Sequence, residues 1–430
     1  MNKERTTKDP QQTINTARVN VLPHAGDLRW PMTWYFLTGK LYSLLPWKKT
    51  AWTCAGFPIE LLLGFDIFPL HPENMATVAA AQKHSQRLIE HAEGMGYSRD
   101  LCSYCKTNIG AVDLGVGLKE GGIARPDIIT CTNTICDTHW KWFQIQAEKL
   151  DVPLFVFDCP KIVSGTNERT IEGYVNYLVD QFYEFFEFVG RHTGREPDIN
   201  KMVRAAEKSE QLSALWREIF EYRKRIPAPY SMAETSASFF PLVVMPGVGS
   251  GIRFFEKILA DIKQRAEQGL GTLTGGQERY RLMFEGIPFW YRMRFMYDLA
   301  RYGAVVVYEP YTFSFAPHKP SGLSYIEMLR HVARIMMDLP YSYNLDKRID
   351  YFKQVIDEYR LDGVILHENL SCRPSSTGMI DLKNAIQQEC GVPVLIINCD
   401  MNDPRVFSEA QLKTRIEGFL EMIDRRRTAV

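Results

Sequence analysis

The stretch "VILHENLSCRP", residues 364–374, decides how this sequence is interpreted, because an apolar segment ends there in a cysteine. A strand buried on both faces of a parallel sheet is a short apolar run bounded by turn residues. In open α/β sheets, ligands bind just beyond the carboxyl ends of such strands. Cys372 therefore follows a predicted strand at the position where folds of this class usually carry out their chemistry.

Similar apolar runs alternate with helical patterns along the chain, which is typical of βαβ units in a parallel sheet. They favour an α/β fold of two domains, each with a small parallel sheet flanked by helices, plus a helical connecting region. The runs are "PDIITC" (126–131), "VPLFVFD" (152–158), "YRLMFEG" (280–286), "GAVVVYE" (303–309), "DGVILHE" (362–368) and "VPVLIIN" (392–398).

Helical patterns lie between and before these strands. An alanine-rich pattern predicts one helix over residues 76–96, with a glycine stop. Two long patterns, 171–194 and 199–222, predict a pair of helices with aromatic residues at helical spacing. Residues 28–52 are aromatic-rich and contain two prolines, so we expect a helix or irregular structure packed against a neighbour.

A chain of 430 residues is long enough for more than one hydrophobic core, because single cores stop growing near roughly 250 to 300 residues. The expected boundaries follow the change from alternating strands and helices to the helical pair. They define an N-terminal extension at 1–50, a first α/β domain at 51–170, a helical region at 171–275 and a second α/β domain at 276–430.

Composition argues against two classes of partner. Lysine plus arginine and aspartate plus glutamate both number 51, so no global positive field attracts a nucleic acid or an anionic membrane surface. The polar N-terminus lacks the apolar core of a signal peptide. Long apolar stretches such as 57–70 are too short and too charged to span a bilayer. We therefore expect a soluble cytoplasmic protein that binds neither nucleic acid nor membranes.

The nine cysteines are an odd number and do not indicate a disulfide framework in a cytoplasmic protein. A zinc ribbon needs two tight pairs, whereas the chain has Cys102-x-x-Cys105 and the wider Cys131-x4-Cys136. A thioredoxin-like site would place its CxxC at a strand-to-helix junction without distant thiol partners, so neither type fits well. Cys102, Cys136 and Cys372 all fall at predicted ends of helices or strands. Thiolates that converge from separate loops are what an iron–sulfur cluster needs. Buried structural cysteines are the alternative, and the residues alone leave both open.

Two titratable residues also lie near predicted strands. Glu73, in "HPEN" (71–74), follows the apolar run 65–70, and it is either a surface turn residue or a proton donor at the crevice. His367 lies near the end of the strand that leads to Cys372, which makes it a candidate catalytic residue.

Two further features have simpler interpretations. His139, within the aromatic segment "HWKWF" (139–143), is predicted to be a packed or capped histidine. The segment "PGVGSG" (246–251) superficially resembles a dinucleotide fingerprint, but its spacing is not GxGxxG. We interpret it as a flexible turn.

Several longer segments together carry a resemblance that runs from about residue 52 to residue 427. The chain resembles the family that contains the (R)-2-hydroxyacyl-CoA dehydratases and the ATP-dependent benzoyl-CoA reductases. The segments are "HPEN" with "AAAQKHSQRLIEHAEGMGYSRDLCSY", "PDIITCTNTICDTHWKWF", "ERYRLMFEGIPFW", "HENLSCRPSS" and "NDPRVFSEAQLKTRIEGFLEMID".

The resemblance implies a [4Fe–4S] cluster as cofactor, with Cys102, Cys136 and Cys372 as its metal ligands and one iron left open to substrate. It also implies a role for Glu73 in proton handling or water positioning, whereas His367 stays a catalytic candidate. The implied partners are a homologous second subunit in a heterodimer, a separate ATP-hydrolysing iron–sulfur activator, and an acyl-CoA or aryl-CoA substrate. The absence of GxxxxGK[ST] from the sequence agrees with ATP being handled by another protein.

The motifs divide between the dehydratase branch and the reductase branch of this family. Ala55 stands where the dehydratases tend to have serine, and "NCDMNDPR" (398–405) replaces their "GDQADPR", whereas "SCRPSSTG" (371–378) and "GAVVV" (303–307) resemble the reductases. "CTNTIC" and "HPEN" instead favour the dehydratases.

We therefore expect the iron–sulfur subunit of an oxygen-sensitive complex that performs one-electron, ketyl-radical reduction of a CoA thioester. The motifs favour aromatic ring reduction of the benzoyl-CoA reductase type, with an (R)-2-hydroxyacyl-CoA dehydratase subunit as the alternative. A non-catalytic scaffold subunit and a dinucleotide-dependent oxidoreductase are the other hypotheses.

Overall fold

The computed structural model describes residues 17–26, 28–117, 119, 122–318 and 322–429. The first sixteen residues of the expected N-terminal extension lie outside the described residues. Two four-stranded parallel sheets, each flanked by helices, organise the described chain. The predicted α/β fold with two parallel sheets is therefore confirmed.

The N-terminal unit contains a sheet with the strand order β3 (Ile67–Leu70), β2 (Lys49–Trp52), β4 (Ile128–Thr132) and β5 (Leu154–Phe157), in which all neighbours are parallel. Its strands end at the same edge, because Trp52 pairs in register with Leu70 and with Ile129. The elements are β1 (Arg18–Val19), α1 (Arg29–Leu44), β2 (Lys49–Trp52), α2 (Ile59–Gly64), β3 (Ile67–Leu70), α3 (Pro72–Ala81), α4 (Ser85–Gly94), α5 (Ser103–Leu114), β4 (Ile128–Thr132), α6 (Asp137–Leu150) and β5 (Leu154–Phe157).

Four helices connect the two sheets. Asn167 and Asp198 cap the first two, each by accepting a hydrogen bond from a backbone N–H of the first turn. The second helix packs on both α2 and the fourth helix, so it links the helical region to the N-terminal unit. The helices are α7 (Glu168–Thr193), α8 (Ile199–Tyr222), α9 (Met232–Val244) and α10 (Gly249–Glu267), followed by β6 (Leu273–Thr274), which pairs with β1.

The C-terminal unit contains the sheet with strand order β10-β9-β7-β8, again fully parallel. Short 3-10 turns and one π turn complete it. The elements are β7 (Tyr280–Glu285), α11 (Phe295–Asp298), β8 (Ala304–Tyr308), α12 (Pro310–Phe313), α13 (Tyr325–Met337), α14 (Leu345–Glu358), β9 (Gly363–Asn369), α15 (Arg373–Ser376), α16 (Met379–Ala385), β10 (Val394–Cys399) and α17 (Glu409–Ala429).

Each of the six predicted strand segments overlaps a strand of the structure, with bounds that agree to within two residues. The opening stretch supplies β9, which lies between β7 and β10, and every residue of β9 except Glu368 is buried. Burial on both faces explains why these strands appear as continuous apolar runs in the sequence. One buried hydrophobic cluster includes residues of both sheets, such as Trp52 and Leu366. The exact domain boundaries stay a prediction.

Two secondary-structure predictions need correction. Residues 76–96 are not one helix: α3 ends at Ala81 and α4 begins at Ser85, with Lys83 between them at a φ of 67°. The break allows the Ser85 hydroxyl to donate a hydrogen bond to the backbone oxygen of Asn402, 2.7 Å away.

The segment 28–52 is also more regular than expected, because it forms both α1 and the strand β2. The strand β2 was not predicted because its first residue, Lys49, is charged. In the structure, Lys49 forms an ion pair with Asp127 at 2.8 Å. Among the described residues, no helix has both the length and the apolar character needed to cross a membrane.

Candidate functional site

A cavity of about 150 Å³, the central cavity, is lined by residues that follow strands of both parallel sheets. Residues that follow the carboxyl ends of several strands line it: Ala55 follows β2, Glu73 follows β3, Cys136 follows β4 and Cys372 follows β9. The carboxyl edge of an open α/β sheet is where ligands bind in such folds. The position of the cavity is thus a direct result of the sheet topology.

The three predicted ligand cysteines all line the central cavity. Cys102 immediately precedes α5, Cys136 precedes α6 and Cys372 precedes α15. A helix N-terminus favours negative charge, so it is a suitable place for a thiolate. Cys102 and Cys136 belong to the N-terminal unit and Cys372 to the C-terminal unit, so the site exists only where the two units meet.

A hydrogen bond holds two of these loops together. The backbone N–H of Ser103, next to Cys102, donates to the hydroxyl oxygen of Ser371, next to Cys372, at 3.1 Å. The Ser371 hydroxyl in turn donates to the carboxylate of Asp400, which follows β10. Residues 268 positions apart in the chain are therefore fixed side by side.

The raised pKa values of two of these thiols are consistent with a metal centre. Burial raises the pKa of Cys102 well above its usual value, and the negative charge that Cys372 would carry raises this pKa further. Burial likewise raises the pKa of Cys372 to about 11. Such thiols stay protonated unless a cation compensates their charge, and a coordinated metal deprotonates a thiol outright. The donor set therefore suits a cationic group.

Among the residues that the structure describes, no three histidine, cysteine, aspartate or glutamate side chains are placed to hold one metal ion. A [4Fe–4S] cluster takes each thiolate on a different iron. The three thiols line one cavity, and their assignment as cluster ligands stays a prediction.

Glu73 is held beside the cysteines by two hydrogen bonds. Its Oε1 lies 2.9 Å from His139 Nε2, and its Oε2 accepts the backbone N–H of Ala55 at 2.5 Å. Both side chains line the cavity and are largely buried, with exposed fractions of 12% for Glu73 and 6% for His139. Glu73 is therefore not a surface turn residue but a carboxylate facing the candidate site.

The pair shifts the titration of both groups. Burial alone would raise the pKa of Glu73, but His139 and the Ala55 N–H outweigh it, so this pKa lies below its usual value. Burial lowers the pKa of His139, but the negative charge that Cys136 would carry and the charge of Glu73 more than offset this and raise the pKa well above its usual value. The arrangement favours an imidazolium–carboxylate pair.

Sequence reasoning missed two residues of the site. His139 is buried as predicted, but its pairing with Glu73 was not; its place one turn beyond Cys136 was the available signal. Tyr341 lines the cavity, and its hydroxyl oxygen lies 3.4 Å from Cys372 Sγ. No local pattern marks this tyrosine, which lies in the short segment between α13 and α14.

His367 occupies a different environment from the cysteines. It is fully buried within β9, and its Nδ1 lies 2.6 Å from the backbone oxygen of Ile287. Its ring packs edge-on against Phe289, and burial lowers its pKa to about 4. His367 is not among the residues that line the central cavity as described. Its catalytic role stays a prediction to which this geometry adds no support.

Comparison with known proteins gives a consistent result. The family model described as "2-hydroxyglutaryl-CoA dehydratase, D-component" matches residues 54–423. The chain is 28% identical over 383 residues to the (R)-phenyllactyl-CoA dehydratase alpha subunit of Clostridium sporogenes, covering 89% of this chain and 91% of that protein. It is 29% identical over 389 residues to the (R)-2-hydroxyisocaproyl-CoA dehydratase alpha subunit of Clostridioides difficile, with coverage of 88% and 91%.

A reductase subunit is also similar. The chain is 28% identical over 389 residues to a benzoyl-CoA reductase subunit of Thauera aromatica, covering 86% of this chain and 87% of that protein.

Proposed function

Since the chain belongs to the 2-hydroxyglutaryl-CoA dehydratase D-component family, we propose that it is the alpha-type subunit of a 2-hydroxyacyl-CoA dehydratase. The family description and two of the similar proteins carry dehydratase names, so they favour the alternative over the aromatic ring reduction that the motifs suggested. The observation that carries the proposal is the meeting of three cysteines with the Glu73–His139 pair around one cavity.

In this proposal, Cys102, Cys136 and Cys372 hold a [4Fe–4S] cluster at the boundary of the two units. When bound, that group supplies single electrons to the thioester, a reaction that no amino acid side chain performs. The net reaction breaks the bond from the α-carbon to the hydroxyl and one C–H bond at the β-carbon. It releases water, forms an enoyl thioester and consumes no net electron.

The residues of this chain manage the protons of that reaction. Glu73 is the candidate proton-transfer group, because its carboxylate lines the cavity with the cysteines. His139 and the Ala55 N–H are positioning groups, since each donates to one oxygen of this carboxylate. General acid–base catalysis requires a group held within hydrogen-bonding reach of the reacting atoms.

The proposal includes partners. Two similar proteins are named alpha subunits, which supports a second subunit for this chain. We propose that this subunit is homologous and forms a heterodimer with it. A separate ATP-hydrolysing iron–sulfur activator delivers the electron, in keeping with the lack of a phosphate-loop motif in this sequence.

Aromatic ring reduction is the second candidate. It is supported by the 28% identity to the benzoyl-CoA reductase subunit of Thauera aromatica, which is as high as the identity to one of the dehydratase subunits.

The decisive experiment offers both substrates to one preparation. The chain would be purified without oxygen together with its partner subunit, then supplied with activator, ATP, a reductant and either an (R)-2-hydroxyacyl-CoA or benzoyl-CoA. We expect mass spectrometry to find an enoyl-CoA from the first thioester and no ring-reduced product from the second. A dearomatised product would establish the second candidate instead, and turnover of neither would contradict both.

The ligand assignment has its own control. Cys372→Ser should lower the iron content from about four per chain and abolish turnover. Cys390→Ser is the matched control, because Cys390 is partly exposed and is not among the described residues of the cavity wall. Full iron and activity in the first variant would contradict the assignment.

A further inference from the structure

One side of the central cavity is an apolar wall formed by helices of the connecting region and the C-terminal unit. The C-terminal half of α13 and the residues that follow it contribute three of the six wall residues used here. Close packing of such side chains leaves little capacity to solvate a charge. The wall residues used in this argument are Leu242, Val243, Phe315, Ile335, Met336 and Leu339.

The apolar wall is contiguous with the reactive end of the cavity. A methyl group added at Gly56 would lie 3.7 Å from Leu339 Cδ1, and Gly56 directly follows Ala55, whose N–H binds Glu73. On the same segment as Leu339, the Tyr341 hydroxyl contacts Cys372. An acyl chain whose carbonyl and α-carbon lie at the cysteines therefore extends onto the wall.

The described residues that line the cavity include no lysine or arginine that could pair with a second carboxylate. His139 is already paired with Glu73, and burial lowers the pKa of His71 to about 4, so His71 stays neutral. A carboxylate buried without a cationic partner is strongly disfavoured.

Resting on the proposed function, we infer that the acyl group of the substrate is uncharged and apolar, and that thioesters with a second carboxylate are rejected. Specificity here arises from the wall of this chain.

The test compares two thioesters that differ only in charge. 2-Hydroxy-5-methylhexanoyl-CoA replaces the distal carboxylate of 2-hydroxyglutaryl-CoA by an isopropyl group, so the hydroxyl, the thioester and the CoA part are the same. Binding of each to the holoenzyme heterodimer is measured by calorimetry without activator or ATP. We expect the apolar thioester to bind about 10²-fold more tightly. Equal or tighter binding of 2-hydroxyglutaryl-CoA would overturn the inference.

A variant locates the effect on the wall. Ile335→Arg places a cation on the wall and should reduce the preference for the apolar thioester at least about tenfold. Ile326→Arg is the matched control, since Ile326 lies on the same helix but is 48% exposed. If Ile335→Arg protein with full iron content kept the preference for the apolar thioester, the wall would not be its cause. If this variant does not fold, the binding of the two thioesters to the wild-type complex still tests the inference.

Because binding is measured without turnover, this inference and the proposed function fail separately. A complex that binds the apolar thioester selectively but dehydrates neither thioester would contradict the proposed function and support the specificity. A complex that binds and dehydrates both thioesters equally would support the function and contradict the specificity.

Discussion

The contact between Tyr341 and Cys372 bears on the reduction potential of the candidate cluster site. A thiolate ligand can only accept hydrogen bonds, so at the observed 3.4 Å the Tyr341 hydroxyl would be the donor. Hydrogen bonds to the ligand sulfurs are one of the means by which a protein sets the reduction potential of an iron–sulfur cluster. Such a bond stabilises the more negative, reduced state.

We therefore expect Tyr341→Phe to lower the reduction potential of the cluster while the iron content is kept. The measurement is a potentiometric titration followed by electron paramagnetic resonance. Tyr343→Phe is the control, because Tyr343 packs against Tyr351 and not against a candidate ligand. An unchanged potential in Tyr341→Phe protein would show that the hydroxyl does not donate to the ligand.

Glu73→Gln tests proton transfer at the site. Glutamine retains an oxygen for the Ala55 N–H but cannot exchange a proton, so we expect kcat to fall by about 10²-fold or more. Iron content and substrate binding should change little. The control is Glu90→Gln, an exposed glutamate on α4. Normal kcat in Glu73→Gln would remove Glu73 from the mechanism.

At the scale of single elements, the turn after β2 depends on a glycine. Gly56 has a φ of 81°, in the left-handed region that side chains rarely adopt. An added methyl group would also lie 3.3 Å from Ile135 Cδ1, on the loop that carries Cys136. The turn thus positions the Ala55 N–H toward Glu73 through a conformation that other residues adopt only with strain.

Gly56→Ala should lower the free energy of unfolding by about 1–2 kcal/mol, the typical cost of a left-handed conformation for a residue with a Cβ. Gly165→Ala separates the cost of the left-handed backbone conformation from the cost of the contact with Ile135. Gly165 has a φ of 84° but nothing within 4 Å of an added methyl group, so it has the conformational cost alone. Denaturant unfolding should rank Gly56→Ala as the less stable variant, and the reverse order would contradict the role of the Ile135 contact.

Helix boundaries show where local pattern is insufficient. The helical periodicity of residues 76–96 is sound, but the chain breaks at Lys83 because contacts with the distant segment at Asn402 stabilise the turned geometry. Propensity over a few residues is worth less than several tertiary hydrogen bonds. In contrast, α8 matches its predicted bounds at 199–222, since aromatic spacing and a capping aspartate define it locally.

At the scale of the whole molecule, an ion-pair cluster joins the two units near the site. Glu93 of α4 accepts hydrogen bonds from Arg405, which follows β10, at 2.8 and 2.9 Å, and from Lys106 at 2.9 Å. These cations lower the pKa of Glu93 from 4.5 to about 2. The bidentate geometry makes this a stronger contact than a typical surface ion pair.

This pKa gives a testable pH dependence. A carboxylate whose pKa is depressed in the folded state adds stability that is present above its unfolded pKa of 4.5 and is lost as the pH falls toward 2. Wild type should therefore melt at a higher temperature than Glu93→Gln at neutral pH. The difference should shrink progressively below about pH 4.5. A difference that stays constant into the acid range would show that the Glu93 charge does not stabilise the fold.

The sequence by itself determined the fold class, most of the strands and the position of three cysteines just beyond predicted helices or strands, because each of these features depends on neighbouring residues. Buried parallel strands are apolar runs, and residues just beyond them lie at the carboxyl edge of a sheet. Only the tertiary structure decided which side chains meet. Glu73 and His139 are 66 residues apart, and Tyr341 and Cys372 are 31 apart. Such contacts depend on how the N-terminal and C-terminal units pack together, and no short pattern encodes that relation. The same holds for the apolar wall, whose residues come from separate elements and meet only around the cavity.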